Sequence, residues 1–180
     1  MKLIKRIFIV IALIVALVYL VIIPYIHQEA KKFSPAKTAQ LELKGSSLEV
    51  EYSSPSKKGR IIFGDLVPFG KVWRTGANEP TTFSTTQNIK IIDKILPAGK
   101  YSLWTVPNRN SWKVIFNTQI PDWGVTRVDG NQTTHDPRFD YLTVEVPVKT
   151  LENPVENFSI DFEHLKDGIQ QQNYLDLAWD

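Results

Sequence analysis

The feature that most constrains this chain is a stretch of twenty uncharged, mostly apolar residues near its start, Ile7 to Ile26. At 1.5 Å per residue, an α-helix of about this length spans the roughly 30 Å hydrocarbon core of a bilayer. In lipid, unpaired backbone groups cost more than the weak helix propensity of Ile and Val, so a helix is expected. The stretch predicts a transmembrane helix over residues 7–26 and makes the lipid bilayer a predicted partner.

A cleaved signal peptide is the alternative for this segment. Such a signal has an apolar region of about 7 to 15 residues that ends at a small-x-small site. Here the apolar run is longer and ends in Ile22, Ile23, Pro24 and Tyr25. The chain has no cysteine, so it offers no residue for a lipidated-cysteine anchor. We therefore expect an uncleaved signal anchor.

Positive charge flanks the predicted helix on both sides. A cluster of three basic residues, Lys2, Lys5 and Arg6, precedes it, and the pair Lys31 and Lys32 follows it beside an acidic residue. The positive-inside rule favours a cytoplasmic N-terminus, because the unopposed cluster lies there. We expect a single-pass protein whose large C-terminal domain is periplasmic or extracellular.

The rest of the chain has the size and charge of one domain. Five of the 21 basic residues and one of the 19 acidic residues lie before residue 33, which leaves 16 basic and 18 acidic residues and a charge of about −2. That balance gives no basic surface for phosphate backbones, so nucleic acid is not an expected partner. The predicted division is a cytoplasmic tail at 1–6, the anchor at 7–26, a polar stalk at 27–40 and a β domain at 41–180.

Within the domain, apolar and polar residues alternate, which is typical of half-buried strands. The alternating apolar residues are Leu41 and Leu43; Leu48, Val50 and Tyr52; Trp112, Val114 and Phe116; Leu142, Val144 and Val146; and Phe158, Ile160 and Phe162. Turn signals such as Asp129-Gly130-Asn131 separate the segments. About nine strands, without room for the crossover helices of a parallel sheet, predict an all-β fold, an antiparallel β-sandwich. A β-barrel is the alternative, and one helical stretch is expected near Glu163 to Gln171.

Three runs of residues resemble a known family. They are Ser54 to Glu79, Leu96 to Pro107, and Trp112 to Asn117 followed by Trp123-Gly124. They resemble the signature of the bacterial envelope family called domain of unknown function 2911, over roughly residues 46 to 180. The resemblance implies a secreted or membrane-attached, β-rich protein of the Bacteroidetes type, without an assigned activity.

Two points qualify what the resemblance implies. Pro80 stands where the family pattern suggests a small residue able to enter a strand; because proline has no N–H, it should lie at a strand start or edge. Some relatives carry the label asparagine synthetase. This chain lacks the cysteine nucleophile of a glutamine amidotransferase and the glycine-rich loop of an ATP-using enzyme.

One serine motif suggests acyl-transfer chemistry. Ser54 and Lys57, followed by Arg74-Thr75-Gly76, resemble elements of penicillin-recognising enzymes. The serine lies in a proline-containing turn, however, and the middle element of those enzymes is missing. Nucleophile-elbow, zincin and glycine-rich nucleotide patterns are also absent from the sequence. We expect no catalysis from this motif.

Histidine and acidic residues in one segment suggest a metal site. His135, Asp136 and Asp140 lie close in sequence, and His164 lies further on. A catalytic zinc site needs three such ligands in a fixed geometry. The segment is polar and rich in turn residues, so we expect a solvated loop, with no metal and no cofactor.

Aromatic residues suggest a carbohydrate surface. The five tryptophans are Trp73, Trp104, Trp112, Trp123 and Trp179. A row of exposed tryptophans stacks on sugar rings, whereas tryptophans of sandwiches are more often buried in the core. We expect core positions first and a carbohydrate platform second.

The remaining constellation lies between Arg60 and Glu79, where polar side chains stand among apolar residues and three glycines. The candidate residues are Arg60, Asp65, Arg74, Asn78 and Glu79. Buried polar groups must pair with one another or with a ligand. The pattern predicts either a closed structural network, in which Arg74 pairs with Glu79 or Asp65, or a ligand-facing site. The closed network is expected first.

Three function classes follow from these observations. The favoured one is a non-catalytic binding or assembly module held at the membrane, with an envelope protein or a glycan as its partner. The second is a hydrolase-like enzyme with an unrecognised carboxylate or histidine site. The third is a carbohydrate-binding module.

Overall fold

The computed structural model describes residues 2–125, 133–167 and 170–180. The chain divides into two compact units, residues 1–33 and residues 34–180.

The first unit is a long helix made of α1 (Lys2–Leu17), a π-helical turn (Val18–Ile22) and α2 (Ile23–Phe33). Pro24 has no N–H to donate and its ring crowds the preceding turn, which accounts for the switch from α to π hydrogen bonding just before it. The large apolar side chains of the helix are exposed, and Leu3–Phe33 is long and apolar enough to cross a membrane. The helix agrees with the predicted membrane anchor.

The second unit is mostly β. Its strands are β1 (Ala36–Leu43), β2 (Ser46–Ser53), β3 (Thr81–Thr85), β4 (Ile89–Ile91), β5 (Lys94–Leu96), β6 (Gly99–Val106), β7 (Ser111–Asn117), β8 (Asp140–Pro147), β9 (Ser159–Asp167) and β10 (Gln170–Ala178). A short 3-10 helix, Pro137–Phe139, precedes β8. Six strands form an antiparallel sheet in the order β1-β2-β3-β6-β7-β8, and β4–β5 and β9–β10 form two hairpins.

One face of the six-stranded sheet and the β9–β10 hairpin enclose the core. The alternating residues of the sequence point to this face, because successive side chains of a strand point to opposite sides. Phe158 and Ile160, at the start of the hairpin, are fully buried with Val50 and Leu103 of the sheet. The Phe158 ring meets the Tyr52 ring edge-on at 5.7 Å. Removing a buried phenylalanine ring costs about 3–5 kcal/mol, so this contact holds the hairpin to the sheet.

An aromatic cluster joins the long loop between β2 and β3 to the last residues of the chain. The Trp73 and Trp179 rings stack with centroids 5.9 Å apart and planes 16° from parallel. Phe63 packs edge-on against Trp112 at 4.8 Å and against Trp73 at 6.2 Å. Such pairs add about 0.5–1.5 kcal/mol each beyond the burial of their area. The cluster fixes the path of a loop that has little regular structure of its own.

The predicted fold class is confirmed, with differences in detail. The described part of the domain has ten strands rather than about nine, and the edge strands β1 and β8 do not pair, so the sheet is not a closed barrel. The helix expected near Glu163 to Gln171 is wrong, because the described residues there belong to β9 and β10. Pairing across the hairpin, for example of Phe162 with Leu175, overrides the weak local pattern. Pro80 immediately precedes β3, as expected.

The segment expected to be a stalk, residues 27–40, contains two different structures. Its first part is the end of α2, which continues to Phe33, and its last part is β1, which begins at Ala36. Ser34 is buried. The predicted turn at residues 129–131 lies outside the described residues.

The side chain of Asp180, just after β10, pins the long loop to the end of the β9–β10 hairpin. Asp180 forms an ion pair with Lys57, and its Oδ2 accepts a hydrogen bond of 3.2 Å from the Ile62 N–H. The Asp180 and Val155 backbones also exchange hydrogen bonds. The hydrogen bond from Lys57 is the main reason why the pKa of Asp180 is lowered in the folded state. The ionised carboxylate therefore stabilises the fold.

We predict that Asp180→Asn lowers the free energy of unfolding by about 1 kcal/mol at neutral pH, the upper end for an ion pair near the surface. The stabilisation is complete above the unfolded-state pKa of about 3.9 and is lost as the pH falls through the lower, folded-state pKa. Urea unfolding at neutral and acidic pH measures it. The difference in the free energy of unfolding between Asp180→Asn and wild type should shrink in acid. The Lys57→Gln variant should show the same pH dependence as Asp180→Asn. A difference that stays constant across this range would contradict the assignment.

Candidate functional site

Residues around Trp73 extend the six-stranded sheet past the start of β3. Trp73 and Thr105 exchange two backbone hydrogen bonds of 2.7 and 3.0 Å, so Trp73 pairs with the end of β6. The Trp73 ring lies in the core. Because successive residues of an extended chain point to opposite faces, Arg74 lies on the outer face of the sheet. Ser102 and Trp104 of β6 belong to the same outer face, since they alternate with the core residues of that strand.

The chain then makes a buried, strained turn. Thr75 and Asn78 have φ values of 58° and 59°, in the left-handed region that a β-branched residue such as threonine rarely adopts. The Thr81 hydroxyl donates a 2.6 Å hydrogen bond to the Thr75 carbonyl. A Cβ at Gly76 would lie 2.8 Å from the Ser53 carbonyl oxygen, so only glycine fits. Strain of this kind costs about 1–3 kcal/mol per residue and persists only where the surrounding packing imposes it.

Arg74 precedes this turn and is half-buried. Its Nε is fully buried and has no hydrogen-bond partner. Within the described residues its guanidinium forms no ion pair, and burial lowers its pKa. Arginine stays charged in proteins, so a positive group stands here without an opposite charge.

A loop after β7 covers Arg74. The Gly124 N–H donates to the Asn78 carbonyl at 3.0 Å, and the Thr134 N–H donates to the Gly124 carbonyl at 3.2 Å. The Thr134 hydroxyl donates to the Trp123 carbonyl at 2.7 Å. Two segments of the loop are thereby tied to each other and to the strained turn. Residues 126–132, which connect them, lie outside the described part of the chain.

Gly124 allows this loop to lie directly on the Arg74 side chain. A Cβ at Gly124 would lie 2.9 Å from Arg74 Cβ and 3.1 Å from Arg74 Cγ, and nearer still to Cδ. These separations are shorter than the roughly 3.5–4.0 Å of an ordinary contact between carbon atoms, so a side chain at Gly124 would have to displace Arg74. The aliphatic stem of Arg74 is therefore fixed by packing, while its buried Nε has no hydrogen-bond partner among the residues that the structure describes.

A histidine and a carboxylate lie on the same face, over Trp104. His135 Nε2 and Asp140 Oδ1 are 2.7 Å apart, and the His135 side chain is only 6% exposed. Asn117 Nδ2 donates to the same carboxylate oxygen at 2.7 Å. The His135 ring lies 5.4 Å from the Trp104 ring, centroid to centroid. A carboxylate that orients a histidine in this way is a recurrent arrangement in binding and catalytic sites.

The metal candidates do not come together as one ligand set. The Asp136 carboxylate accepts hydrogen bonds from the side chain and the backbone N–H of Arg138, and these lower the pKa of Asp136 to about 2. The described residues contain no group of three His, Cys, Asp or Glu side chains placed to share an ion. The side chain of His164 lies outside the described part.

The five polar candidates of the sequence lie in different surroundings. Arg60 is exposed and donates to the carbonyls three and four residues before it, at 2.9 and 2.6 Å. Asp65 is also exposed, and Asn78 is buried, whereas Arg74 and Glu79 are half-buried. The ion pair of Arg74 with Asp65 or Glu79, expected for a closed network, is not among the contacts of the described residues.

The serine and lysine of the penicillin-type motif have structural contacts. The Ser54 hydroxyl is buried and donates to the Phe158 carbonyl at 2.6 Å, while Lys57 pairs with Asp180. The tryptophans follow the expected core pattern: Trp73, Trp104 and Trp179 are buried, and Trp112 and Trp123 are half-buried. None of the five is fully exposed.

Sequence reasoning missed the pair His135 and Asp140 as a feature separate from a metal site, and it missed the role of Gly124. His135 and Asp140 are five residues apart in the sequence, and this spacing matches no recognised motif. The signal that pointed towards Gly124 was its place in the family resemblance, where it follows Trp123.

Comparison with known proteins gives one family. The family model described as protein of unknown function (DUF2911) matches residues 34–180. No curated protein and no solved structure matches the chain.

We predict that Gly124→Ala lowers the free energy of unfolding by about 1–3 kcal/mol, the usual cost of overpacking. Most of that loss should disappear in the Arg74→Ala background, because the added methyl group then has space. Urea unfolding of the wild type, both single variants and the double variant measures this coupling. Equal effects of Gly124→Ala in both backgrounds would show that the loop does not rest on Arg74.

Proposed function

The chain belongs to the DUF2911 family, and we propose that its β domain is a non-catalytic binding module in which Arg74 binds a ligand with anionic oxygen atoms. The observation that carries this proposal is the buried Arg74 Nε, which has no hydrogen-bond partner in the described part of the chain.

The energetics of a half-buried guanidinium with a fully buried Nε support a ligand-facing site over a closed network. Removing a charged group from water without pairing it is costly, and a polar group left unpaired in the interior loses its hydrogen bonds to water. A carboxylate or phosphate group has two oxygen atoms that can accept parallel N–H hydrogen bonds from one guanidinium. Each hydrogen bond to a charged group contributes about 1.5–3 kcal/mol. An anionic ligand would therefore offset the cost that Arg74 carries in the free protein.

The surroundings of Arg74 support the same proposal. Its stem is fixed by the contact with Gly124, and the turn after it holds Thr75 and Asn78 at positive φ. Strained backbone of this kind is common at ligand-binding positions, where it sets the direction of a side chain before the ligand arrives. Preorganisation reduces the side-chain entropy that binding would otherwise cost.

A hydrolase-like enzyme is the second candidate, and the His135–Asp140 pair favours it. A histidine held by a carboxylate is suited to general base catalysis. Nearby hydroxyl groups are engaged elsewhere: Ser102 Oγ donates to the Gln119 carbonyl at 2.6 Å, and Thr134 Oγ1 donates to the Trp123 carbonyl. Because no described hydroxyl group bonds to His135, binding ranks above hydrolysis. A carbohydrate platform ranks third, because no tryptophan is fully exposed.

The proposed setting is the outer side of a membrane. The apolar helix would remain as an anchor, with the cluster Lys2, Lys5 and Arg6 in the cytoplasm and the β domain in the periplasm or outside the cell. In that compartment the proposed partners are small anions or the anionic groups of an envelope protein or glycan.

We predict that Arg74→Met removes anion-dependent stabilisation and leaves the fold intact. Methionine keeps most of the stem that packs on Gly124 and lacks the guanidinium. Without anions, the free energy of unfolding should change by less than about 1 kcal/mol. Inorganic phosphate at about 100 times its dissociation constant should stabilise the wild type by about 2.7 kcal/mol and the variant by much less. Urea unfolding in phosphate and in chloride, at equal ionic strength, measures both effects.

The matched control is Arg60→Met, which removes an exposed guanidinium. It should retain the stabilisation by phosphate, and acetate in place of phosphate tests carboxylate ligands. A loss of about 3–5 kcal/mol in Arg74→Met without anions, as expected for one member of a buried ion pair, would contradict the proposal and support a closed network.

The proposed orientation predicts which ends of the chain are accessible in intact cells. The chain has no cysteine, so each introduced cysteine is a unique probe. Lys149→Cys, at an exposed position, should react with a membrane-impermeant maleimide in spheroplasts, and Lys2→Cys should react only after lysis. The protein should stay with the membrane in alkaline carbonate. A mature chain that begins near residue 28 would show cleavage and defeat the anchor.

A further inference from the structure

The long loop between β2 and β3 presents two large apolar side chains to solvent. Ile61 is 65% exposed and Leu66 is 47% exposed, whereas their neighbours Ile62 and Val67 are 0% and 4% exposed. The Leu66 N–H donates to the Ile61 carbonyl at 3.3 Å, and the Val67 N–H donates to the Ile62 carbonyl at 2.8 Å. The buried side chains of Ile62 and Val67 anchor the loop, and the hydrogen bonds hold Ile61 and Leu66 side by side. We call Ile61 and Leu66 the apolar tip.

Exposed basic residues lie in the same loop as the apolar tip. Lys58, Arg60 and Lys71 are exposed, and Asp65 is the exposed acidic residue between them. The carboxylate of Glu156 lies at the base of the loop, where it accepts the Lys58 N–H. In this part of the loop and at its base, the three basic residues thus outnumber the two acidic ones, although the domain as a whole carries about −2. Apolar side chains ringed by basic ones are typical of surfaces that contact anionic lipid headgroups.

The base of this loop is hydrogen-bonded to the first residues of the β domain. Ser34 directly follows the end of α2, and the Pro35 carbonyl accepts a 2.9 Å hydrogen bond from the Ser54 N–H. Ser54 is the first residue of the loop that carries the apolar tip. A helix in the bilayer would tether the whole domain, and with it this loop, to the same membrane at an effective concentration of about millimolar. At such a concentration even a weak surface contact is populated.

We infer that the apolar tip enters the headgroup region of an anionic bilayer, with Arg60 and Lys71 contacting lipid phosphates, so that the domain docks on the membrane that holds its helix. This inference rests on the proposed membrane anchor and is independent of the ligand at Arg74. The amphipathic character of the loop and its tether favour a lipid surface over a protein partner.

The test uses the full chain in lipid nanodiscs, with a spin label at Ile61→Cys. The matched control is Ile95→Cys in β5, another exposed isoleucine, which is 55% exposed in the wild type. In discs of phosphatidylethanolamine and phosphatidylglycerol, the ratio of oxygen to nickel-chelate accessibility should be at least about twofold higher at position 61 than at position 95. In phosphatidylcholine discs, or with Arg60→Gln and Lys71→Gln together, the difference should shrink. Equal ratios at the two positions in the anionic discs would overturn the inference.

Hydrogen exchange provides a readout without a label. In the anionic discs, the amides of residues 61–67 should exchange more slowly in the wild type than in an Ile61→Ser, Leu66→Ser variant, and equal rates would overturn the inference. A chain that alkaline carbonate removes from membranes contradicts the anchor, whereas a retained chain with a solvent-exposed tip contradicts the docking alone. Protection of the tip in cells, without protection in either kind of disc, would assign the surface to a protein partner and overturn lipid docking.

Discussion

Two backbone hydrogen bonds between Trp73 and Thr105 determine where the groups of the candidate site lie. They make Trp73 an extension of the sheet, and the alternation of side chains then commits its ring to the core and Arg74 to the outer face. The stacking of Trp73 on Trp179 fixes this register, because a shift of one residue would expose the ring and bury the guanidinium in the core. The strained turn that follows is held by the same contacts, since packing of the aromatic cluster offsets the cost of its positive φ values.

The sequence predicted the fold better than it predicted the site. Period-two patterns in β1, β2, β7 and β8 were sufficient for a mostly β, antiparallel domain, because one buried face imposes that period. The same reasoning failed beyond Phe162, where the polar residues of the sequence carry no period. There, pairing with β10 decides the structure.

The candidate residues were harder to interpret for a different reason. The sequence shows that charged residues lie among apolar ones between Arg60 and Glu79, and a buried charge normally has a partner. Whether Arg74 has a partner depends on where the strained turn and the loop carrying Gly124 place its side chain. Those positions follow from long-range contacts. Likewise, His135 and Asp140 come together over Trp104 through the path of the chain into β8. No local pattern encodes these distances.

In this account, the domain has two surfaces with different chemistry. The outer face of the sheet offers a fixed cation under a covering loop, with Trp104 and the His135–Asp140 pair on the same face. The loop with the apolar tip offers basic and apolar groups on its exposed side. Both surfaces favour anionic partners although the domain carries a small negative charge, because the local arrangement of charge, rather than its sum, governs recognition.

The central claim, that Arg74 is held ready for an anionic ligand, is tested most directly by nitrogen-15 NMR of its Nε–H group, assigned by its disappearance in Arg74→Met. The Nε–H proton is buried, so it should exchange slowly, and none of the described residues accepts a hydrogen bond from it. We expect the signal to move towards the position of a hydrogen-bonded proton when inorganic phosphate or acetate is added. A signal that already lies at that position in the free protein, and does not respond to either anion, would contradict this claim.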